Sequence, residues 1–504
     1  VKPRRLWSPR EHDPRAFVQA NVGGLKDYTL AFWMAVVGLG IAAGFGAILM
    51  MIVLHSVQHA AFSYHVGEYS TAAASRSALR RVLVVTGGGV VAGIGYWLMR
   101  THLGGTGGEP TKAVWSGVGE ISPWRTVVSG ALSEVVIGMG GSIGREAAPQ
   151  HAGAAFGYWL GQRFALPREQ RLLLIACGAG AGVGAVYNVP LAGALFAAEL
   201  YIGSITLATV VPALVTSGIA TAIGWIYLPR EPIYPVHALG YPSASLLVFA
   251  LLVGPIIGLG AVVFVRMIVW ASDNRPSGLK LLAQPPAAFL VLGALAIPYP
   301  LLLGNGRDLA LFSFRDANAA IATLLALTLL KPIVTSLCLR SGASGGLFTP
   351  TFSTGAVLGA LCGHIWAYIW PGASAEACAV LGACAMLGAG MRAPIAAVAF
   401  TIELTGDTNA SVVAMLLVLS GALLVARALE RRSIYTARLP AGTRRTRPPA
   451  DAVNGAAVAA VTPGTPGAGG ERAAAEAQPA VVTSRHPAPP AGGPGGELQS
   501  PLET

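Results

Sequence analysis

Charge is what this chain has least of. Only 11% of its 504 residues are Asp, Glu, Lys or Arg, while 54% are hydrophobic and the mean hydropathy is +0.60. Soluble domains carry roughly 25% charged residues, so the composition excludes an ordinary soluble enzyme or binding module and requires an integral membrane protein. Cysteine is scarce as well. Cys177, Cys338, Cys362, Cys378 and Cys384 sit in apolar or Gly/Ala-rich segments with no CxxC pair, which reads as packing by small side chains, not as disulfides or metal ligands. There is no HExxH and no metal-ligand cluster. A membrane-embedded enzyme using Glu146 and His151 as acid and base would lack its nucleophile and orienting group, so the reading is not an enzyme, and neither a metal nor a cofactor is expected. A cleavable leader is not expected either, because the first apolar run is too long and has no small-residue cleavage site.

What is abundant is long apolar sequence. Residues 28–54 and 245–265 are free of charge, and a helix needs about 20 such residues to cross the hydrocarbon core. Further runs lie near 78–99, 124–139, 205–228, 280–303, 318–339, 351–370 and 408–429. The net charge of +11 is concentrated at the ends: Lys2, Arg4, Arg5, Arg10, Arg15 and Lys26 precede the first run, and Arg427, Arg431, Arg432, Arg438, Arg444, Arg445 and Arg447 close the last. The positive-inside rule then places both termini in the cytoplasm of a multi-pass protein, with a bacterial inner membrane as the expected location. The same basicity suits anionic lipid, and no nucleic-acid partner is expected. Beyond about Pro440 the composition turns to Pro, Gly and Ala and cannot bury a core. The expected organisation is a cytoplasmic segment 1–25, a membrane domain 26–440 and a disordered tail 441–504.

The membrane domain repeats itself. "NVPLAGALFAAEL" (188–200) and "RAPIAAVAFTIEL" (392–404) align Pro190 with Pro394, Phe196 with Phe400 and Glu199 with Glu403 at an offset of 204, while "GSIGREAAP" and "GASGGLFTP" place Pro149 and Pro350 at an offset of 201. Two halves, about 26–230 and 240–440, with Gly/Pro breaks at matching places point to a transport site at the repeat interface. The segments 110–118, 190–199 and 393–403 are too short to cross, and must bury their ends in protein or around a polar cavity as re-entrant half-helices.

The breaks have a chemical use. A helix that begins inside the bilayer exposes its first N–H groups, which together with the macrodipole favour an anion. Glycine lets the backbone come close to an ion, and proline at the first helical position loses no needed hydrogen bond. "GREAAP", "GGLFTP" and "GGTGGEP" (104–110) all have this form, so three helix starts are expected to converge on one anion. Close helix packing in lipid is the plainer use of the same glycines. Glu146 sits where a bound anion would sit; charged, it plugs the site, and protonated or displaced, it frees it. Arg145 and Ala147 flank it in the same candidate site. A local Arg145–Glu146 pair is the alternative, although adjacent side chains diverge at a helix start.

Other ionisable residues stay open. Glu134, twelve residues before Glu146, is a candidate proton relay or a partner for Lys331 or a buried Arg. Lys331 adds positive potential or snorkels. His151 reads as a packing residue, Glu109 as a favourable charge at a helix start, and Glu403 as a structural cap, a role open to Glu199 also.

In these residues the chain resembles the CLC family of chloride channels and chloride/proton exchangers, whose GSGIP, GREGP and GxFxP motifs and late tyrosine are matched in order by "TGGEP" (106–110), "GREAAP" (144–149), "GLFTP" (346–350) and "SIYTARL" (433–439). The resemblance implies an all-α integral membrane protein, an inverted repeat of two halves with re-entrant half-helices, paired as a homodimer with one pore per subunit. It implies Glu146 as gate, with Leu347 and Phe348 offering backbone amides and Tyr435 its hydroxyl to chloride, without a formal positive charge. Three positions depart from the pattern. The family's central serine falls at Gly107, with Thr106 beside it. The second acid of the exchangers' adjacent glutamates is Leu200, after Glu199. The GREGP turn reads "AA" in place of its glycine. A single glutamate is the pattern of the family's bacterial voltage-gated branch, so the implied function is a chloride channel, with proton-coupled exchange through Glu134 and Glu199 as the alternative. The tail is too short to hold the nucleotide-sensing CBS pair of some relatives.

Overall fold

In lipid every backbone N–H and C=O needs a partner within the protein, and an isolated segment meets that need as a helix. The computed structural model describes residues 24–117, 120–236, 241–316, 319–406 and 411–439, and among these it contains helices and one isolated bridge but no named strand. The expected tail, 441–504, and most of the segment 1–25 lie outside the described residues. In chain order the helices are α1 (Leu30–Phe62), α2 (Tyr69–Ala74), α3 (Ala78–His102), α4 (Pro110–Trp115), α5 (Pro123–Gly138), α6 (Ala147–Arg163), α7 (Arg168–Tyr187), α8 (Pro190–Phe196), α9 (Leu207–Gly224), α10 (Ala244–Asp273), α11 (Lys280–Leu295), α12 (Arg307–Arg315), α13 (Ile321–Arg340), α14 (Phe348–Ala367), α15 (Ala375–Met391), α16 (Pro394–Thr405) and α17 (Val412–Leu429). Seven of them, α1, α3, α7, α9, α10, α13 and α17, are long and apolar enough to cross a membrane. The protein is therefore a multi-pass integral membrane protein. At 33 residues and 1.5 Å per residue, α1 is about 50 Å long, well beyond the roughly 30 Å core, and must lean or protrude.

The apolar runs locate most of the long helices but pass over α6, α7 and α15, and of these α7 and α15 play matching parts. Both are rich in glycine and alanine and are buried along nearly their whole length. Each crosses the helix before it with the two backbones in contact. A Cβ added to Gly153 of α6 would lie 2.0 Å from the Gly178 carbonyl oxygen of α7, and one on Gly178 would lie 2.1 Å from that of Gly153. The second half does the same: Gly355 of α14 against Gly382 of α15 at 2.5 Å, and Gly382 against Gly355 at 2.3 Å. Small residues earn helix association in lipid by this close approach, since apolar burial is no driving force there.

The symmetry extends to the turns. α7 and α15 end on left-handed residues, Asn188 (φ 55°) and Arg392 (φ 62°), and α8 and α16 then begin on proline. α16 runs as a regular helix to Gly406, whereas α8 widens into a π-turn over Ala197–Ile202 before Gly203. The two short helices close each other. Glu199 accepts the Ile395 and Ala396 N–H groups at 3.2 and 2.7 Å. Glu403 accepts those of Leu191 and Ala192 at 3.1 and 2.7 Å. Each half thus satisfies the orphan donors of the other's re-entrant helix, in the arrangement of an inverted repeat.

Candidate anion site

Two of the three glycine-rich breaks meet. Gly144 and Gly346 exchange hydrogen bonds, N–H to O=C, at 2.8 and 2.6 Å. With the Glu146 carboxylate in this position neither glycine has room for a side chain, because a Cβ on Gly346 would lie 1.8 Å from Glu146 Oε1 and one on Gly144 would lie 2.3 Å from Oε2. From this bridge one strand enters α6 just after Glu146 and the other enters α14 at Phe348.

The Glu146 side chain folds across to the opposite helix start. Glu146 is 1% exposed. Its Oε1 accepts the Phe348 N–H at 2.7 Å. Its Oε2 accepts the Tyr187 hydroxyl at 3.0 Å and the Thr349 hydroxyl at 3.2 Å, and those two hydroxyls lie 2.5 Å apart. Among the described ion pairs, none involves Glu146. The donors are a helix-start N–H and two neutral hydroxyls, so the site holds a negative group by dipoles and leaves no fixed cation behind when that group departs. A small anion would meet the same donors.

The other sequence-chosen residues fall at different distances from this centre. Leu347 and Ala147 are buried at the two helix starts, but the amide that reaches the carboxylate is that of Phe348. Tyr435 joins from the far side through rings: it lies 5.7 Å from Phe196, Phe196 lies 5.8 Å from Phe400, and Phe400 lies 4.6 Å from Phe348. Arg145 is turned away. Its guanidinium lies 5.4 Å over the Tyr187 ring and lines a cavity of about 830 Å³ that also holds Arg307, Arg315, Glu68, Glu231 and Asp308, with Arg307 and Arg315 paired to Asp308 and Glu68 at 3.5 and 3.8 Å. Adjacent side chains at a helix start point apart, so Arg145 stands at this cavity of mixed charge and not among the donors to the Glu146 carboxylate. The third break does not converge with the other two on Glu146. Thr106 and Gly107 are half-buried in the loop after α3, and Gly107 (φ 100°) packs so closely on α5 that a Cβ would lie 2.2 Å from Thr126 Oγ1. Glu199, a candidate for the proton route, is occupied as the cap of α16.

Glu134 is fully buried on α5, and neither of its oxygens has a hydrogen-bond partner among the described residues. Arg145 and Glu146 are the charged groups acting on it. Lys331 pairs with no acid here. Its ammonium donates to Ser142 Oγ and to the Leu302 and Gly304 carbonyls at 2.9, 3.3 and 3.1 Å, pinning the loop that leads to Gly144. Tyr187 and Thr349 were missed from sequence. Thr349 stands inside the quoted "GLFTP", whereas Tyr187 ends a helix whose glycine content hid it.

Two helix starts bonded to each other around one buried acid, inside an inverted repeat of membrane helices, define a membrane protein with a central site suited to an anion. Residues 87–427 match the family model described as voltage gated chloride channel, and the chain belongs to that family. Among curated proteins it is 32% identical over 381 residues to a putative chloride channel protein ClcB-like of Ralstonia nicotianae, covering 71% of this chain and 88% of that one. It is 31% identical over 357 residues to the voltage-gated ClC-type chloride channel ClcB of Yersinia pestis, covering 69% and 85%. Among solved structures the fold is shared with a slow cyanobacterial Cl−/H+ antiporter at a TM-score of 0.71, with 23% identity and coverage of 81% and 97%. It is shared also with a CLC-type fluoride/proton antiporter at 0.66, with 21% identity and coverage of 82% and 99%.

Proposed function

We propose that the protein conducts chloride across a bacterial inner membrane, with Glu146 as the gate and with no enzymatic role. One observation carries this reading: the Glu146 carboxylate occupies the Phe348 N–H at 2.7 Å, the donor that a passing anion would need. Family membership and the names of the curated relatives support chloride as the ion. Both termini are assigned to the cytoplasm on the positive-inside rule. Pairing of two subunits follows from the family resemblance.

Chloride efflux from proteoliposomes tests the gate. Wild-type flux should rise as pH falls and Glu146 gains a proton, while Glu146→Gln should conduct freely at all pH values. A purified protein that passes no halide, in either form, would overturn the reading. A second reading, chloride/proton exchange, is favoured by Glu134, a buried acid without partners beside the gate. Reversal potentials under combined chloride and pH gradients separate the two, since a passive channel follows chloride alone.

A further inference from the structure

Lys331 takes no part in holding the Glu146 carboxylate, yet it is fully buried on α13. An ammonium has three donors. Lys331 directs all three to neutral acceptors: the Ser142 hydroxyl at 2.9 Å and the Leu302 and Gly304 carbonyls at 3.3 and 3.1 Å. Among the described residues no carboxylate pairs with it. Asp308, the acid that acts on it, is engaged elsewhere, accepting the Ser70 N–H at 2.6 Å and lying 3.5 Å from Arg307 Nη1. Burying a cation among neutral groups costs more than burying an apolar side chain of the same shape. The placement calls for a role that an apolar residue at 331 would not fill.

The acceptors indicate what that role is. Ser142 is itself buried and stands two residues before Gly144, in a stretch with little regular structure. There the Gly141 N–H reaches back to the Val136 carbonyl and the Ile143 N–H to that of Gly141, both at 3.0 Å, before Gly144 pairs with Gly346. Leu302 and Gly304 belong to the turn before α12, and the Gly304 N–H bonds to the Gly140 carbonyl at 3.2 Å. The ammonium therefore joins α13, this turn and the Gly144 strand at one point. Its stem is enclosed as well. A Cβ on Gly306 (φ 99°) would lie 3.2 Å from Lys331 Cε and 2.4 Å from Ser353 Oγ of α14, so bare backbone fits between the lysine and the helix that begins at Phe348.

The tie runs across the repeat and is made once. Lys331 belongs to the second half and Ser142 to the first. At the 201-residue offset of the glycine breaks, Lys331 corresponds to Gly130 and Ser142 to Ala343, and neither of those side chains can make the bond. Glu199 and Glu403 close each other's helices in duplicate, whereas this bond serves only the strand that leads to Glu146. We propose that Lys331 is a positioning residue for anion passage: through Ser142 it holds the Gly144 strand in register with Gly346, so that the Glu146 carboxylate, or the anion that replaces it, meets the Phe348 N–H. It acts through Ser142 and not by contact with the ion. The inference rests on the anion-conduction reading above.

Ser142→Ala separates the tie from the charge, since it removes the hydroxyl and leaves the ammonium in place. Chloride efflux from proteoliposomes of the full chain is the measurement. In the Glu146→Gln background, where no carboxylate competes, Ser142→Ala should raise the half-saturating chloride concentration about three- to tenfold, as expected when part of one charge-assisted hydrogen bond is lost. Maximal flux should change by less than about twofold. With Glu146 present, Ser142→Ala should move the midpoint of acid activation toward higher pH, because the charged plug is held less well at Phe348. Lys331→Met, which keeps the length of the side chain and removes all three bonds, should move both quantities further in the same direction. If Lys331→Met does not fold, Ser142→Ala decides alone. A mere loss of stability would reduce the amount of active protein and leave both quantities where they were. Wild-type values in Ser142→Ala overturn the tie, and they do so equally if Lys331→Met shifts them, since the lysine would then act by its charge alone. Absence of halide flux from both the wild type and Glu146→Gln overturns conduction itself.

Discussion

The two halves of the molecule are alike where they hold each other up and unlike where the ion would pass. Glu199 and Glu403 stand 204 residues apart and perform one task twice, each closing the start of the other half's short helix. Glu146 and Phe348 stand at matching places beyond the Gly144–Gly346 bridge and do opposite things: one half supplies a carboxylate, the other an N–H. A duplicated scaffold has kept its crossed caps and lost its symmetry where Glu146 faces Phe348. That loss makes a site that one acid can fill from one side.

The comparison can be broken most forcefully at its asymmetric pair. Glu146→Gln removes the negative competitor, so chloride efflux at neutral pH should rise by about tenfold or more and stay level across about pH 5 to 8. A variant that keeps the wild-type acid activation would mean that another group is the gate. The symmetric pair comes next. Glu199→Gln and Glu403→Gln each weaken two hydrogen bonds to a charged acceptor, and each should lower stability in detergent by about 1–3 kcal/mol. Thermal unfolding of the purified variants measures this, and a gap between the two larger than their common loss would argue that Glu199 does more than close a helix.

Tyr187→Phe should act more gently. It deletes one of three donors to the carboxylate, so the plugged form is weaker and protonation opens the path sooner. The midpoint of acid activation should move toward higher pH by up to about one unit, since one unit corresponds to about 1.4 kcal/mol. A shift toward lower pH would exclude Tyr187 as a donor to the closed state. The smallest structural effect belongs to Glu134→Gln. Neither oxygen has a partner to lose, so the substitution breaks no hydrogen bond of the folded protein and should not lower its thermal stability. Its value lies in the reversal potential: if wild type couples protons to chloride and Glu134→Gln does not, exchange replaces conduction as the function.

Much of the fold was legible in the sequence, because lipid leaves few choices and the repeated "P…F…EL" segments fall at one offset. The offset could not say that each glutamate serves the opposite half, since that pairing depends on inversion. α7 and α15 escaped notice for a physical reason: α7 opens on Arg168, Glu169, Gln170 and Arg171, and α15, at 17 residues, is shorter than a full span. At the site, Glu146 stood out as an acid among glycines, and Phe348 was joined to it by family likeness. Tyr187 carried no local signal, because its hydroxyl matters only once α7 lies beside α14. Arg145 misled by adjacency, though neighbouring residues at a helix start face different ways.

The crossed caps also bear on how the protein is made. While the ribosome has released only the first half, α8 has no Glu403, and the Leu191 and Ala192 amides must remain bare or stay at the water interface. The half-helix can therefore settle at depth only after the distal segment arrives some two hundred residues later. Separately expressed halves should be short-lived alone and persist when made together.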